Sequence, residues 1–485
     1  MAEPKLQYKV VSGVAWSFTE KILTMIIQMV VSIVVARQLM PSDFGVMAIL
    51  TFFCSVALTI VDSGFSQTLI RKDDPSDQDY VSVITFNLAM AILLYFGLVF
   101  VASEPLARLY DSPVIVDVAP ILFLVLPINA LCVVQTVMFT REFRFALLSK
   151  IVFFSSLISG LVAIAMAFMG FGIWSLVAQR LVQMSVKGVA FWTLRNWRTS
   201  ARFSFRPLIE MAPFSLRLLA TDLIASVYNN VAQLFIGKMH TTSTLGFYSQ
   251  AQKLKDLPVT STVQAVQGVT YPALSKISDD AEKFTNGYLR IIRLLSFVIC
   301  PVMLGFVAIA DDMFRLLLGE RWMPTAPYFE ILALSGLFYP LAIVSYNVLK
   351  AKSDGRVILR LEILKRVVMT AVLCYTIPRG VESVAWGMTA MAAVEFMLNT
   401  VTAHRYLSCD KLAVLRNVLP SLLLGVVMFG VLYLFDMAIE PLHVALRLLI
   451  AIVLGGVSYL LLALLFRVKA LGEAITLVRE LISKR

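Results

Sequence analysis

Histidine and cysteine are scarce in this chain, at three and five of 485 residues, and none stand at a spacing that would assemble a metal site. No glycine-rich loop of the form GxxxxGK[ST] occurs, which excludes nucleotide-driven pumping by this chain. Charge is thin as well. Only 15% of residues are Asp, Glu, Lys or Arg, where about a quarter is usual for soluble domains. The matching excess is apolar: 59% of the chain, with a mean hydropathy of +0.83. These departures exclude a soluble multidomain enzyme and point to an all-α polytopic membrane protein.

Apolar runs predict about fourteen spanning helices. The first six lie at 11–36, 44–70, 81–103, 114–139, 147–169 and 173–194. Eight more follow at 208–237, 246–270, 289–310, 325–349, 357–377, 381–403, 418–435 and 444–466. The first run is too long for a signal-peptide core, and it reads as a mature helix. Cys54, Cys132, Cys300 and Cys374 fall within spans and Cys409 in a loop, so no external disulfide is expected.

The net charge of +11 would suit nucleic acid if the cations clustered, but they sit in alternate loops. With the N-terminus inside, the inner connections hold 27 Lys and Arg and the outer ones six. This asymmetry places both termini in the cytoplasm and removes nucleic acid as a partner. The longest outer connection, 311–324, leaves no room for an extracytoplasmic catalytic domain.

Sliding the chain on itself by 201 residues sets ARQLMPSDFG (36–45) on GKMHTTSTLG (237–246), with Gly45 on Gly246. At offsets of 211 and 212, VMFTREFRFALL (137–148) meets VLKAKSDGRVIL (348–359) and GIW (172–174) meets VAW (384–386). The order of these matches and the six-plus-six span count predict two parallel six-helix repeats around a central cavity, followed by two further helices. The expected division is a first lobe over 1–195, a basic aromatic cytoplasmic linker over 196–207, a second lobe over 208–405, two added helices over 406–466 and an interfacial amphipathic tail over 467–485.

Polar stripes mark the helices expected to face the cavity. Span one carries Ser17, Lys21, Thr24, Gln28 and Ser32 at steps of three or four, with Glu20 alongside; span two carries Thr51, Ser55, Thr59, Asp62 and Ser66. Span seven presents Arg217, Asp222, Ser226, Asn229 and Gln233, and span eight Ser249, Lys253, Asp256 and Thr260, with Lys255 beside them. Ionisable groups inside a membrane normally face protein or water, since exposure to lipid costs about 2.5–3.5 kcal/mol on insertion scales. Two readings stay open for the hydroxyls and amides: lining of a hydrated path, or hydrogen bonds between packed helices. For the charges the alternatives are a cavity or internal pairs such as Glu20 with Lys21.

The strings PSDFGVMAI (41–49), DSGFSQTLIRKDD (62–74), FGIWSLVAQRLV (171–182), LGFYSQAQKLKDLPV (245–259) and TYPALSKISDD (270–280) resemble the bacterial polysaccharide transport family of the multidrug, oligosaccharidyl-lipid and polysaccharide exporter superfamily. The nearest likeness is to colanic-acid-type exporters, and it extends to about residue 405. The resemblance implies a flippase that moves an undecaprenyl-diphosphate-linked oligosaccharide between leaflets by alternating access. It also implies membrane lipids, polysaccharide polymerase and export machinery as partners, and no enzyme activity. By position, Lys21, Arg180, Arg217, Lys253 and Lys255 are candidates to engage the diphosphate. Glu20, Asp62 and Asp222 are candidates to bind a coupling proton or sodium ion, and no other cofactor is expected. Glu20, Asp62, Asp222 and Asp256 would equally suit a cationic drug, so a cation-coupled multidrug antiporter of the same superfamily is the alternative.

Overall fold

A computed structural model of the chain describes residues 23–195, 197, 199–277, 279–353, 355–438 and 443–483. Every regular element among them is helical. Nine helical runs are long and apolar enough to cross a membrane: Pro41–Arg71, Asp77–Leu109, Val114–Arg141, Phe145–Phe168, Ala281–Ala308, Glu320–Lys352, Val381–His404, Ala413–Ala438 and Val444–Leu465. Four other expected spans form long helices whose polar residues set them apart: Trp174–Leu194, Phe205–Met239, Thr242–Lys276 and Gly355–Thr376. The described part of the first expected span is helix Leu23–Gln38.

The chain divides into two compact units, Met1–Ser249 and Gln250–Arg485. In unit one we number the helices α1 (Leu23–Gln38), α2 (Pro41–Asp62), α3 (Phe65–Arg71), α4 (Asp77–Phe96), α5 (Ser103–Leu109), α6 (Val114–Leu122), α7 (Val125–Arg141), α8 (Phe145–Phe168), α9 (Trp174–Leu194) and α10 (Phe205–Met239). A π-helical turn at Gly97–Ala102 joins α4 to α5. Helix α11 (Thr242–Lys276) begins in unit one and runs into unit two. The repeat offset assigns α10 to the second lobe, yet it packs along α2, α3 and α4.

The ends of these helices follow from local chemistry. Pro41 opens α2, where a missing amide hydrogen costs nothing, and the Met40 amide donates to Asp43 Oδ2 at 3.0 Å. Between α2 and α3, Ser63 (φ 49°) and Gly64 (φ 71°) occupy the left-handed region and break the second expected span. The guanidinium of Arg141, at the end of α7, donates to the carbonyls of Leu69, Ile70, Lys72 and Asp73. One side chain thereby satisfies the carbonyl groups left unpaired at the end of α3. Ser204 caps α10 by accepting from the Arg206 amide at 3.3 Å. The linker region is tied to neighbouring helix ends: Trp197 Nε1 donates to Asp77 Oδ1 at 3.2 Å, and Arg195 pairs with Glu142 at 2.7 Å.

Unit two contains the rest of α11 and α12 (Ala281–Ala308), α13 (Ala310–Leu317), α14 (Ala326–Lys352), α15 (Gly355–Thr376), α16 (Val381–His404), α17 (Ala413–Ala438), α18 (Val444–Leu465) and α19 (Lys469–Ser483). Its core helix is α14, packed between α12 and α16. Several polar groups inside this core pair across helices, as burial favours. Tyr288 Oη lies 2.9 Å from Ser345 Oγ, Thr389 Oγ1 donates to the Ile331 carbonyl at 2.7 Å, and Tyr459 Oη donates to the Phe297 carbonyl at 3.0 Å. The two added helices join the same body. Gly425 lets α17 approach α12 closely, and Arg447 of α18 forms a bidentate pair with Asp312 of α13. The tail forms α19, held by Glu473 against Arg293 at 3.1 Å.

Candidate functional site

The polar centre of unit one forms where α2 ends against α10. At Gly64 a methyl group would sit 2.6 Å from the Ser215 carbonyl oxygen, so glycine is what permits this approach. Hydroxyls then join the surfaces: Thr68 Oγ1 lies 2.7 Å from Ser215 Oγ, and Ser55 Oγ lies 3.4 Å from Ser226 Oγ. Asp62 accepts from the Ser66 amide at 3.3 Å and from the Ser66 hydroxyl.

Above this seam lies a cavity of about 510 Å³ whose walls come from α2, α3, α7, α9 and α10. Asp62 and Asp222 face it together with Lys187, and Thr59, Ser66, Asn129, Cys132 and Thr136 complete its polar lining. The Lys187 ammonium lies 5.5 Å from the centroid of the Phe191 ring. Among the described residues it has no carboxylate at ion-pairing distance. One ammonium, two carboxylates and a girdle of hydroxyl and amide groups therefore share one space. Such a space can hold an anionic group on the lysine, sugar hydroxyls on the girdle, or a small cation between the carboxylates.

Asp62 and Asp222 thus come together as their stripes imply. The other expected residues described in unit one do not line the cavity. Thr24 is buried in α1 and Gln28 is exposed on the same helix; Arg180, Arg217 and Asn229 are exposed on α9 and α10. Lys253, Lys255 and Asp256 belong to unit two, where Lys255 Nζ pairs with Asp256 Oδ1 at 2.6 Å. Glu20 and Lys21 lie outside the described residues. Spans one, two, seven and eight are expected around one cavity; the described lining takes α2 and α3 of span two and α10 of span seven from that set and adds α7 and α9.

Sequence reasoning passed over Asn129, Cys132, Thr136 and Lys187. The first three follow one another at steps of three and four along α7 and so share one face. A cysteine at the middle position and valines around it dilute the stripe. Lys187 stands alone among apolar neighbours, although a lone lysine in a span is itself a signal.

Unit two contains a different buried charge. Lys365 of α15 is only 4% exposed. Its ammonium pairs with Glu362 at 2.8 Å and with Glu395 of α16 at 3.2 Å, and lies 5.0 Å from the Tyr346 ring centroid. This group is closed upon itself. Among the described residues no three His, Cys, Asp or Glu side chains gather in a way that could hold a metal ion.

Comparison with known proteins gives the chain its relatives. Residues 34–327 match the family model described as "Polysaccharide biosynthesis protein". The teichuronic acid biosynthesis protein TuaB of Bacillus subtilis is 25% identical over 472 residues, covering 95% of this chain and 96% of that protein. The succinoglycan biosynthesis transport protein ExoT of Rhizobium meliloti is 26% identical over 388 residues, covering 79% and 78% respectively. Among solved structures, the lipid II flippase MurJ in an inward closed conformation matches with a TM-score of 0.69 at 15% identity, over 94% of this chain and 99% of that one. At that identity the likeness establishes the fold.

Proposed function

Because the chain belongs to the polysaccharide biosynthesis protein family, a membrane transport family rather than an enzyme family, we propose that it is a flippase for lipid-linked oligosaccharides. It carries undecaprenyl-diphosphate-linked repeat units from the cytoplasmic to the outer leaflet of the bacterial inner membrane by alternating access. The product is surface polysaccharide, and polymerase and export machinery are the partners that would receive it. The two repeat lobes over 1–195 and 208–405 and the cytoplasmic placement of both termini belong to the same proposal.

The observation that carries this reading is the 510 Å³ polar cavity inside an otherwise apolar helical unit. A diphosphate diester needs a cation away from bulk water, and Lys187 supplies one with no carboxylate bonded to it among the described residues. Sugars need hydroxyl and amide partners, which Thr59, Asn129 and Thr136 offer. Asp62 and Asp222 sit in the same space and are proposed to take up the coupling proton or sodium ion. That acidic pair also favours the second reading, a cation-coupled multidrug antiporter.

One experiment separates the two. Purified protein is reconstituted in vesicles with a fluorescent undecaprenyl-diphosphate oligosaccharide in one arm and an organic cation dye in the other. Translocation of the glycolipid without efflux of the dye is expected, and Lys187→Gln should slow it. Dye efflux with no movement of the glycolipid would overturn the flippase reading in favour of the antiporter.

A further inference from the structure

Two glycines 201 residues apart make reciprocal contacts at the far end of unit one from the Asp62 cavity. A methyl group on Gly45 would fall within the carbonyl oxygen of Thr242, and one on Gly246 within that of Pro41. Pro41 and Thr242 are themselves 201 residues apart, on the same offset as the glycines. When residue i of one copy meets residue j of the other and j meets i in return, the copies are related by a two-fold. The start of α2 and the start of α11 therefore cross as a matched pair. Each presents a bare Cα to the other's carbonyl oxygen, the geometry of a Cα–H···O contact between close-packed membrane helices.

Nearby groups pin the same end. Lys238 Nζ, near the end of α10, donates to the Leu109 carbonyl at 3.0 Å. A methyl group on Gly237 would stand 3.1 Å from the Tyr110 ring, so this ring also rests on α10. By loop charge, the connections at 37–43, 104–113 and 238–245 all lie outside. The cavity is at the opposite end of α2. Thr59 lies fourteen residues beyond Gly45, or about 21 Å along a helix.

We propose that the Gly45–Gly246 crossing is the outer seal of the transport path, closed in this structure while the Asp62 cavity lies toward the cytoplasm. The proposal rests on the transport reading above. A seal of bare backbone fits the task. It contains no ion pair whose charges would be stranded when it parts, and its tightness depends on the absence of two side chains. No rotamer change can relieve a methyl group there, because each obstacle is a backbone carbonyl. A methyl at either position therefore acts as a wedge that biases the protein toward the outward-accessible state.

The test uses the full chain with its five cysteines replaced and Thr59→Cys as reporter, in right-side-out and inside-out vesicles, with an impermeant thiol reagent. With both glycines present, the reporter should react at least about tenfold faster from the cytoplasmic side, the ratio expected when the outward state is a minor population. Gly45→Ala or Gly246→Ala should raise the outside rate by roughly tenfold, and the double replacement should add little, because one wedge suffices. An unchanged outside rate in a folded Gly45→Ala protein would overturn the proposal. Should the alanine variants fail to fold, Pro41→Cys with Thr242→Cys provides a second route. Bridging this pair with a short thiol crosslinker should stop translocation reversibly, and full activity after complete bridging refutes the seal. Accessibility requires no cargo, so the two readings fail separately. Glycine-dependent access without glycolipid transport keeps the seal and removes the flippase, and transport with glycine-independent access does the reverse.

Discussion

Replacing Lys365 by methionine offers a sharp test of how unit two tolerates charge in the membrane. The side chain is 5% exposed, against 33% for Glu362 and 29% for Glu395. At 2.8 Å and 3.2 Å, and an effective dielectric near 20, each attraction is worth about 5–6 kcal/mol gross. Desolvation of all three groups consumes most of this. The loss on removing the lysine is set instead by what remains: two carboxylates facing the same vacated space, one of them still near Arg366 at 3.8 Å. Breaking a buried pair in this way costs about 3–5 kcal/mol. For a unit the size of residues 250–485, at about 2–4 °C per kcal/mol, the expected fall in melting temperature is roughly 6–20 °C. The assay is thermal unfolding in lipid nanodiscs at neutral pH, with Lys365→Met, Glu395→Gln and the double variant compared as a cycle. The double variant should recover at least about 1 kcal/mol relative to the sum of the single losses. Strict additivity, or a Lys365→Met protein as stable as the parent, would refute the reasoning that this cluster is one electrostatic unit.

Three other outcomes are expected. Lys187→Gln should weaken glycolipid binding by about tenfold or more, since a charge-assisted contact is worth about 1.5–3 kcal/mol, whereas Lys187→Arg should retain most of it; competition binding with a diphosphate lipid measures both, and equal losses would make the lysine's role one of shape. If Arg217 and Lys253 also contact the diphosphate, their double replacement should slow flipping in folded protein, and an unchanged rate removes them from the path. Arg447→Leu should destabilise unit two by about 3–5 kcal/mol by stranding Asp312, and Arg447→Leu with Asp312→Leu should regain most of that, as nanodisc melting would register.

Where the described helices lie was legible in the sequence, with ends off by as much as eight residues at Ala281–Ala308, because lipid imposes one rule, that a spanning segment pairs its own backbone and presents apolar side chains. That rule operates on composition, and composition can be read from a single chain. The breaks inside spans were less visible. The Ser63–Gly64 turn is announced by DSG, but the π-turn at Gly97–Ala102 is buried in an unbroken apolar run and leaves no polar trace. At the site, Asp62 and Asp222 stood out because a carboxylate in a span is expensive. Asn129, Cys132 and Thr136 did not, because weak polarity costs little and so marks little. The membership of α10 in unit one was hidden for a different reason. Internal repeats record ancestry, whereas packing partners depend on complementary surfaces such as Gly64 against Ser215, which no offset reports.

The attachment of α10 to unit one has a consequence for biogenesis. Helices leave the ribosome in order, so α2 and α9 are in the membrane before α10 has been made. Until then the cavity of Asp62 and Lys187 lacks its α10 wall, and the translocon must release or retain two polar helices whose cavity is unfinished. Completion comes only when the chain has grown past residue 239, beyond the 196–207 linker. A ribosome pausing within that linker would leave a nascent membrane protein with its charges uncovered, the state on which quality-control proteases act. In split expression, a first fragment that ends at the linker separates Asp62 from Asp222, whereas one that runs to the end of α10 keeps them together.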